Sequence, residues 1–301
     1  MSAPPLATGD LRVGVVGLGP MGLNHVRAVS RGPGASLAAV YDIHPDRAAA
    51  VAGEYLCAAV ADVAALAGCV DAAIVATPPA THAEVATALL RRGVHCLIEK
   101  PLATAADECE AIAQAAQAGG AIVQVGHIER FNPAVVALAR EIGAAPAAEI
   151  SARRHNPPPG RAPGIDVVAD LMIHDIDIIL MLKRSAPVDV AGLRESAERV
   201  SAVLRFADGT TAHLSADRAA QNKVRELTLT AGGMKWRFDY AARQAWRGSV
   251  PIAVDARDAL DAQLAAFVAA CRGGSNPVPA AAGRAAVAVV ARINAALEHA
   301  P

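Results

Sequence analysis

An apolar run, a glycine-rich loop and an amphipathic helix follow one another in LRVGVVGLGPMGLNH, residues 11–25, and this order constrains the fold most. Gly17, Gly19 and Gly22 have the spacing GxGxxG. The first glycine permits a tight turn, the second leaves room for a pyrophosphate, and the third lets helix and strand pack closely. The free N–H groups and the dipole at the helix start also favour an anion. The stretch predicts the phosphate-binding part of a dinucleotide site.

A second apolar run, residues 36–41, ends at Asp42. This carboxylate follows the glycine loop by a little over the roughly 20 residues at which the dinucleotide fingerprint places the ligand of the ribose hydroxyls. Because Asp42 would repel a 2′-phosphate, we expect NAD as the cofactor and NADP less readily. His44 and Arg47 follow closely and could soften that preference.

Length and composition exclude several classes of protein. With 301 residues, 53% of them hydrophobic, the chain is large enough for about two domains. Its net charge of −1 gives no field that attracts nucleic acid or an acidic membrane surface. The five cysteines show no metal-ligand spacing, so we expect reduced thiols and no metal. Neither a signal-peptide pattern nor an apolar run of about 18 residues is present, which predicts a soluble cytoplasmic protein.

The first part of the chain alternates strands with helices. Buried-strand patterns at 70–76, 94–98 and 122–125 are separated by helix-period sequence. This alternation predicts right-handed crossovers and a doubly wound parallel sheet. We therefore expect an α/β Rossmann domain over residues 1–125.

The pattern changes after residue 125. Hairpins are predicted at 200–215 and 224–240, and helices on one face would cover the resulting antiparallel sheet. Two further helices are predicted at 255–272 and 280–299. We expect an α+β domain with a mostly antiparallel sheet over residues 126–301, for substrate binding and oligomerisation, and the last helix could pack back on the first domain.

Several polar residues follow the strands of the first domain. Ligands of such sheets bind beyond the carboxyl ends of the strands, so all the candidate cofactor-binding residues lie along one edge of the sheet. An alternative interpretation gives these residues no ligand. In it, Thr77, Pro78 and Pro79 only end the strand and cap the next helix, and His82 is a surface histidine. The predicted cofactor-binding residues are Gly17, Gly19, Pro20, Met21, Gly22, Asp42, Thr77, Pro78, His82, Glu99 and Lys100.

Lys100 ends a strand within the sequence IEKP. From residue type alone, Lys100 would be interpreted as an exposed surface lysine. At the mouth of a dinucleotide crevice, a lysine can donate a hydrogen bond to a substrate hydroxyl and stabilise the alkoxide that precedes hydride loss.

The apolar segment 164–183 is predicted to be a helix, interrupted by Asp170, His174, Asp175 and Asp177. Asp170 and His174 are spaced i, i+4, so the carboxylate can orient the imidazole as a general base. Alternatively, these polar residues form a solvent-exposed stripe along the helix and have no catalytic role. We expect Asp175 to be structural, and Asp177 to cap the helix or line the same site.

Five motifs occur in order over nearly the whole chain: GLGPMG, ATPPATH, IEKP, GHIERFNP and DLMIHDID. Together they resemble the Gfo/Idh/MocA family. The resemblance implies a two-domain enzyme that oxidises a sugar or polyol hydroxyl with a nicotinamide cofactor. Its catalytic lysine and Asp-x-x-x-His pair correspond to Lys100, Asp170 and His174. It also implies that His82 and Glu99 lie near the nicotinamide, and that a flat sheet face supports homodimers or homotetramers.

Within the family, GHIERFNP and DLMIHDID most resemble the enzymes that oxidise the 3-hydroxyl of UDP-N-acetylglucosamine to a ketone. A separate indication is the basic segment SARRHNPPPGR, residues 151–161. Guanidinium groups bind phosphate oxygens in pairs, although a solvated basic loop would look the same. The predicted substrate-binding residues are Arg130, Arg153, Arg154 and His155, with Arg161, Lys223 and Arg225 as further candidates.

Two other functions stay open at this point. A dehydrogenase of free sugars or inositol would use the same catalytic residues. A non-catalytic NAD-binding regulator would keep the fold and lose the reaction, yet such a protein need not retain Lys100, Asp170 and His174. The sequence also leaves open whether Lys100 or His174 is the base.

Overall fold

The computed structural model describes residues 9–142, 147–158 and 164–298. The chain forms two compact units. Of the described residues, the first unit contains those up to His127 together with Leu260–Arg284, and the second contains those of Ile128–Ala259 together with those from Ala285 to Glu298.

A parallel sheet of six strands in the order β3-β2-β1-β4-β5-β6 forms the centre of the first unit. The strands are β1 (Leu11–Val16), β2 (Ala35–Tyr41), β3 (Ala58–Ala59), β4 (Ala72–Val75), β5 (His95–Glu99) and β6 (Val123–Gly126). The strand order reverses between β1 and β4, which confirms the predicted doubly wound sheet and makes this point the expected ligand crevice.

Five helices connect these strands. They are α1 (Pro20–Arg31), α2 (Pro45–Tyr55), α3 (Val63–Ala67), α4 (His82–Leu90) and α5 (Ala106–Gly119). Because α1 begins four residues after β1 ends, the glycine loop lies between them as the sequence predicts.

An eight-stranded sheet in the order β14-β13-β12-β11-β7-β10-β9-β8 forms the second unit. Its strands are β7 (Ala147–His155), β8 (Asp189–Ser196), β9 (Arg199–Arg205), β10 (Thr211–Asp217), β11 (Val224–Ala231), β12 (Met234–Asp239), β13 (Gln244–Arg247) and β14 (Val250–Ile252). Among the described strands of this sheet only β7 and β10 pair in parallel, so the predicted mostly antiparallel sheet is confirmed. Helices α6 (Pro133–Ile142) and α7 (Ile173–Lys183) contribute to its core.

Two helices near the end of the described chain are α8 (Ala259–Cys271) and α9 (Ala280–Glu298). The sequence placed α8 in the second domain, but Leu264, Phe267 and Val268 are buried in the core of the first unit. By length and composition alone α9 could cross a membrane. Its Val289 and Ile293 instead lie in the core of the second unit, as expected for an apolar core helix.

Candidate active site

The glycine loop shows which position is open to a ligand. Gly17 has a φ of 87°, and a Cβ there would lie 2.8 Å from the carbonyl oxygen of Ala76. A Cβ on Gly22 would lie 1.8 Å from the carbonyl oxygen of Gly17, whereas one on Gly19 would meet nothing within 4 Å. The first turn of α1 contains no acidic residue. Gly17 and Gly22 therefore serve the fold, and the loop is open at Gly19, where a pyrophosphate is expected.

Asp42 follows β2 and is held beside this loop. Its carboxylate accepts hydrogen bonds from the N–H groups of Leu18, at 2.8 Å, and His44, at 2.9 Å. Nη1 of Arg47 lies 3.2 Å from Oδ2. Burial alone would raise the pKa of Asp42, but the hydrogen bonds from His44 and Leu18 and the charge of Arg47 lower it overall. An ionised carboxylate is thus fixed where the ribose ligand is expected.

His82 is completely buried, so it is not a surface histidine. Its Nδ1 lies 2.8 Å from the carbonyl oxygen of Pro101, and its Nε2 lies 2.9 Å from that of Thr77. Burial lowers the pKa of His82 against the opposing effect of these carbonyl groups. The ring links the segment after β4 to the segment after Lys100, and Thr77 itself adjoins Gly17.

Lys100 follows β5, and its peptide bond with Pro101 is cis, a point that the sequence left open. The preceding carboxylate, Glu99, is buried. Its Oε1 lies 2.7 Å from Nε2 of His25, and its Oε2 accepts the N–H of Lys100 at 3.2 Å. Sequence reasoning gave His25 no role. A signal was present, because His25 shares the buried face of α1 with Gly22, Val26 and Val29 at helical spacing.

The helix predicted over 164–183 is not regular. A π-helical turn, Val168–Met172, precedes α7 and contains Asp170. Since a π-helical turn holds more residues than an α-helical one, Asp170 and His174 need not stack as an i, i+4 pair. Oδ2 of Asp170 accepts from Nη1 of Arg218 at 3.3 Å, and the orienting role of Asp170 stays a prediction.

Arg154 does not lie where a substrate phosphate could reach it. Its exposed fraction is 1%. Its Nε and Nη2 donate to Asp175 at 3.0 Å each, and its Nη1 donates to Glu129 at 2.8 Å. The prediction for Arg154 is wrong because strand alternation places this side chain on the helix-covered face of β7. Asp175 is structural, as expected.

The other three predicted substrate residues are also engaged elsewhere. Arg130 donates to Asp177 at 2.6 and 2.8 Å, and both side chains are largely buried. Arg153 pairs with Glu226 on the face of the sheet opposite to Arg154, and His155, on that same face, lies 3.0 Å from Oγ of Ser215. Because α7 carries His174 and packs on the face of Arg154, Arg153 and His155 lie on the opposite face of the sheet, and the substrate-binding roles of these three residues stay predictions. Arg161 lies outside the described residues.

Arg225 is the remaining basic candidate with a suitable position. It lies directly opposite Arg154 in the register of β11 and β7, so it shares the α7 side of the sheet. Its guanidinium donates to Oδ1 of Asn156 at 3.3 and 3.4 Å and forms no ion pair among the described residues. Burial and the charge of Arg154 lower the pKa of Arg225. The charges of Glu129 and Asp175 act on Arg225 in the opposite sense, but neither accepts a hydrogen bond from it among the described residues, so its N–H groups suit an anionic ligand.

Comparison with known proteins places this geometry in a family. Residues 11–127 match the model described as "Oxidoreductase family, NAD-binding Rossmann fold". A UDP-N-acetylglucosamine 3-dehydrogenase of Acidithiobacillus ferrooxidans is 37% identical over 240 residues, which are 77% of this chain and 73% of that protein. An inositol 2-dehydrogenase of Rhizobium meliloti is 32% identical over 231 residues, 70% of this chain and 69% of that protein.

A solved structure agrees over more of the chain. The structure of a UDP-N-acetylglucosamine 3-dehydrogenase from Acidithiobacillus ferrooxidans superposes with a TM-score of 0.90 at 32% identity. The match covers 96% of this chain and 98% of that one. Both units therefore have the architecture of that dehydrogenase.

Proposed function

Because the chain belongs to the Gfo/Idh/MocA oxidoreductase family, we propose that it is an NAD-dependent dehydrogenase that oxidises the 3-hydroxyl of UDP-N-acetylglucosamine to a ketone. The observation that carries this choice of substrate is the 37% identity to a UDP-N-acetylglucosamine 3-dehydrogenase, over 73% of that protein. The position of Arg225 supports it, since its guanidinium forms no ion pair among the described residues and a diphosphate, unlike a free sugar or inositol, would supply one.

The residues of the first unit fit a dinucleotide. The loop open at Gly19 would receive the pyrophosphate, and Asp42 would accept hydrogen bonds from the ribose hydroxyls. When bound, the cofactor supplies the acceptor for a hydride from the carbon that bears the hydroxyl. The ionised Asp42 favours NAD over NADP, and Arg47 partly offsets that preference.

Three side chains would carry the chemistry. Lys100 donates a hydrogen bond to the reacting hydroxyl and stabilises the negative charge that develops on its oxygen. His174 takes the hydroxyl proton, and Asp170 orients its ring. Loss of that proton and of the hydride converts the alcohol to the ketone.

Substrate assays test the proposal most directly. We would follow NADH formation with UDP-N-acetylglucosamine, its galacto epimer, UDP-glucose, free sugars and inositol, with a trap for the ketone. Activity confined to UDP-N-acetylhexosamines is the expected result. Activity with free polyols alone would support the inositol dehydrogenase function instead, and no activity with any of them would support a regulator.

Arg225 offers a variant that separates the first two outcomes. R225A should raise the KM for the nucleotide sugar about 10-fold or more, because one charged hydrogen bond to phosphate is lost. R140A is the matched control, since Arg140 is exposed on α6. An unchanged KM in R225A would remove Arg225 from the substrate site.

A second pair of variants tests the preference for NAD over NADP. Arg47 contacts Asp42 but is half-exposed, so R47A should lower kcat/KM for NADP more than for NAD. D42S should raise the relative use of NADP. An unchanged ratio of the two kcat/KM values in D42S would show that Asp42 does not select the cofactor.

We also propose a homo-oligomer formed through the outer face of the second sheet, opposite α7. One row across that face contains Val203, His213, Ser151 and Thr228, small or flat side chains that allow close approach. V203E should shift the mass measured by light scattering to that of a monomer.

We place the enzyme in the cytoplasm, because its five cysteines are free thiols.

A further inference from the structure

Arg218 directly follows β10, on the side of the second sheet that α7 covers. Ala216, two residues earlier, lies opposite Arg154 of β7, and alternation along the chain places Arg218 on that same side. The N–H of Arg218 donates to the carbonyl oxygen of Glu198 at 2.9 Å, which continues the pairing of β9 with β10. The main chain thus fixes the point from which the arginine side chain extends.

The guanidinium of Arg218 is buried and donates to three acceptors. The exposed fraction of the residue is 6%. Nε donates to Oε2 of Glu198 at 2.6 Å. Nη1 donates both to the carbonyl oxygen of Ile165 at 2.8 Å and to Oδ2 of Asp170 at 3.3 Å. One nitrogen therefore joins the chain that precedes the π-helical turn to the carboxylate within that turn.

Asp166 holds the main chain of the same π-helical turn. Its Oδ1 accepts the N–H groups of Val168 at 2.8 Å and Ala169 at 3.0 Å, and its carbonyl oxygen accepts the N–H of Asp170 at 3.0 Å. These bonds fix the backbone at Asp170, and the contact from Arg218 fixes its carboxylate. Since π-helical turns are rare and frequently occur at functional sites, a turn held from two sides points to a residue that must be placed accurately.

We propose that Arg218 is a positioning residue, which holds the carboxylate of Asp170 so that Asp170 can orient His174. Glu198, whose side chain is 44% exposed, holds Nε and thereby turns Nη1 towards the π-helical turn. Arg218 acts through Asp170 and touches neither substrate nor cofactor. This inference rests on the role of Asp170 in the function proposed above.

Hydrogen exchange tests the structural part without substrate. In R218Q the link between Ile165 and Asp170 is lost, so the amides of the π-helical turn should exchange about 10-fold faster or more. R194Q is the matched control, because Arg194 is exposed and lies opposite Val200 on the same side of the sheet, and it should leave these rates unchanged. Wild-type exchange rates in R218Q would overturn the proposal.

A double-mutant cycle tests whether Arg218 acts through Asp170. R218Q should lower kcat about 10-fold with little change in the KM for NAD, because a displaced carboxylate no longer orients the base. In the D170N background the same change should lower kcat by less than about twofold, since the carboxylate is already absent. Equal fold-decreases in the two backgrounds would reduce Arg218 to a support of the fold and overturn its positioning role.

E198Q is the second variant, for use if R218Q does not fold. Because Glu198 is half-exposed, its replacement leaves no buried carboxylate without a partner. E198Q should lower kcat in the wild-type background but not in D170N, and it should speed exchange in the π-helical turn. Equal decreases of kcat in both backgrounds would again contradict the proposal. If the wild type oxidises no nucleotide sugar, the proposed function fails, while hydrogen exchange still decides whether Arg218 holds the turn.

Discussion

The guanidinium of Arg154 and the carboxylate of Asp175 form two parallel hydrogen bonds, each 3.0 Å long, in the core of the second unit. Glu129 accepts a third bond from Arg154 at 2.8 Å, and the ring of Tyr240 lies 5.0 Å from the guanidinium. Burial raises the pKa of Asp175 against the opposing charge of Arg154. One ion cluster thus joins GHIERFNP, β7 and DLMIHDID, which are far apart in the sequence.

Loss of the cation from this cluster should destabilise the protein strongly. R154M leaves Asp175 and Glu129 buried without their partner, so the free energy of unfolding should fall by roughly 3–5 kcal/mol, as measured by urea denaturation. R153A changes the neighbouring, exposed arginine and should cost under about 1 kcal/mol. Equal losses in the two variants would contradict a structural role for the cluster.

Two glycine variants should separate fold from cofactor binding. Alanine at Gly17 must adopt a φ of 87° and approach the carbonyl oxygen of Ala76, so G17A should lower the melting temperature. Alanine at Gly19 meets no protein atom within 4 Å, so G19A should keep the wild-type melting temperature and lose about 10-fold or more in NADH affinity. Normal NADH binding by G19A would place the pyrophosphate elsewhere.

Removal of Lys100 or His174 should affect turnover more than cofactor binding. We expect kcat to fall about 100-fold or more in K100A and in H174A, because each loses a group that acts on the proton or charge of the hydroxyl. NADH affinity, followed by fluorescence, should stay within a few-fold of the wild type. Near-normal turnover in either variant would show that its residue has no catalytic role.

Stability should depend on pH through His95. Its Nδ1 accepts the N–H of Ile122 at 3.0 Å, and burial lowers its pKa from 6.5 despite the charge of Asp71. Because His95 binds a proton more readily in the unfolded chain than in the folded chain, its contribution to the free energy of unfolding is complete above pH 6.5. This contribution is lost as the pH falls below that value.

H95N provides the measurement for this effect. Asparagine can accept the same hydrogen bond without titrating, so the free energy of unfolding should fall less in H95N than in the wild type between about pH 7.5 and pH 5.5. The same pH dependence in both proteins would assign the effect to other groups.

Local pattern was enough to predict the first unit's central features. The apolar runs that form β1 and β2, the glycines between β1 and α1, and Asp42 at the end of β2 all follow from residue type and spacing. Each of these features depends on neighbours within a few residues. The same is true of the hairpins β9–β10 and β11–β12.

The substrate arginines could not be placed in this way. Consecutive side chains of a strand point to opposite faces, and Ile150 and Ala152 mark the face of Arg154 as the apolar one, but the sequence does not show which carboxylates pair with Arg154 there. The ion pair with Asp175, which only the fold brings together, distinguishes the buried Arg154 from the exposed Arg153. The pair of Arg130 and Asp177 spans 47 residues and likewise depends on the tertiary fold.

The position of α8 has a consequence for protein synthesis. The core of the first unit includes Leu264, Phe267 and Val268 from this helix, although its sheet is complete at Gly126. While the ribosome translates the second unit, the nascent first unit must expose the apolar surface that α8 later covers. Its folding can finish only after residue 271 has emerged, so the two units mature together rather than one after the other.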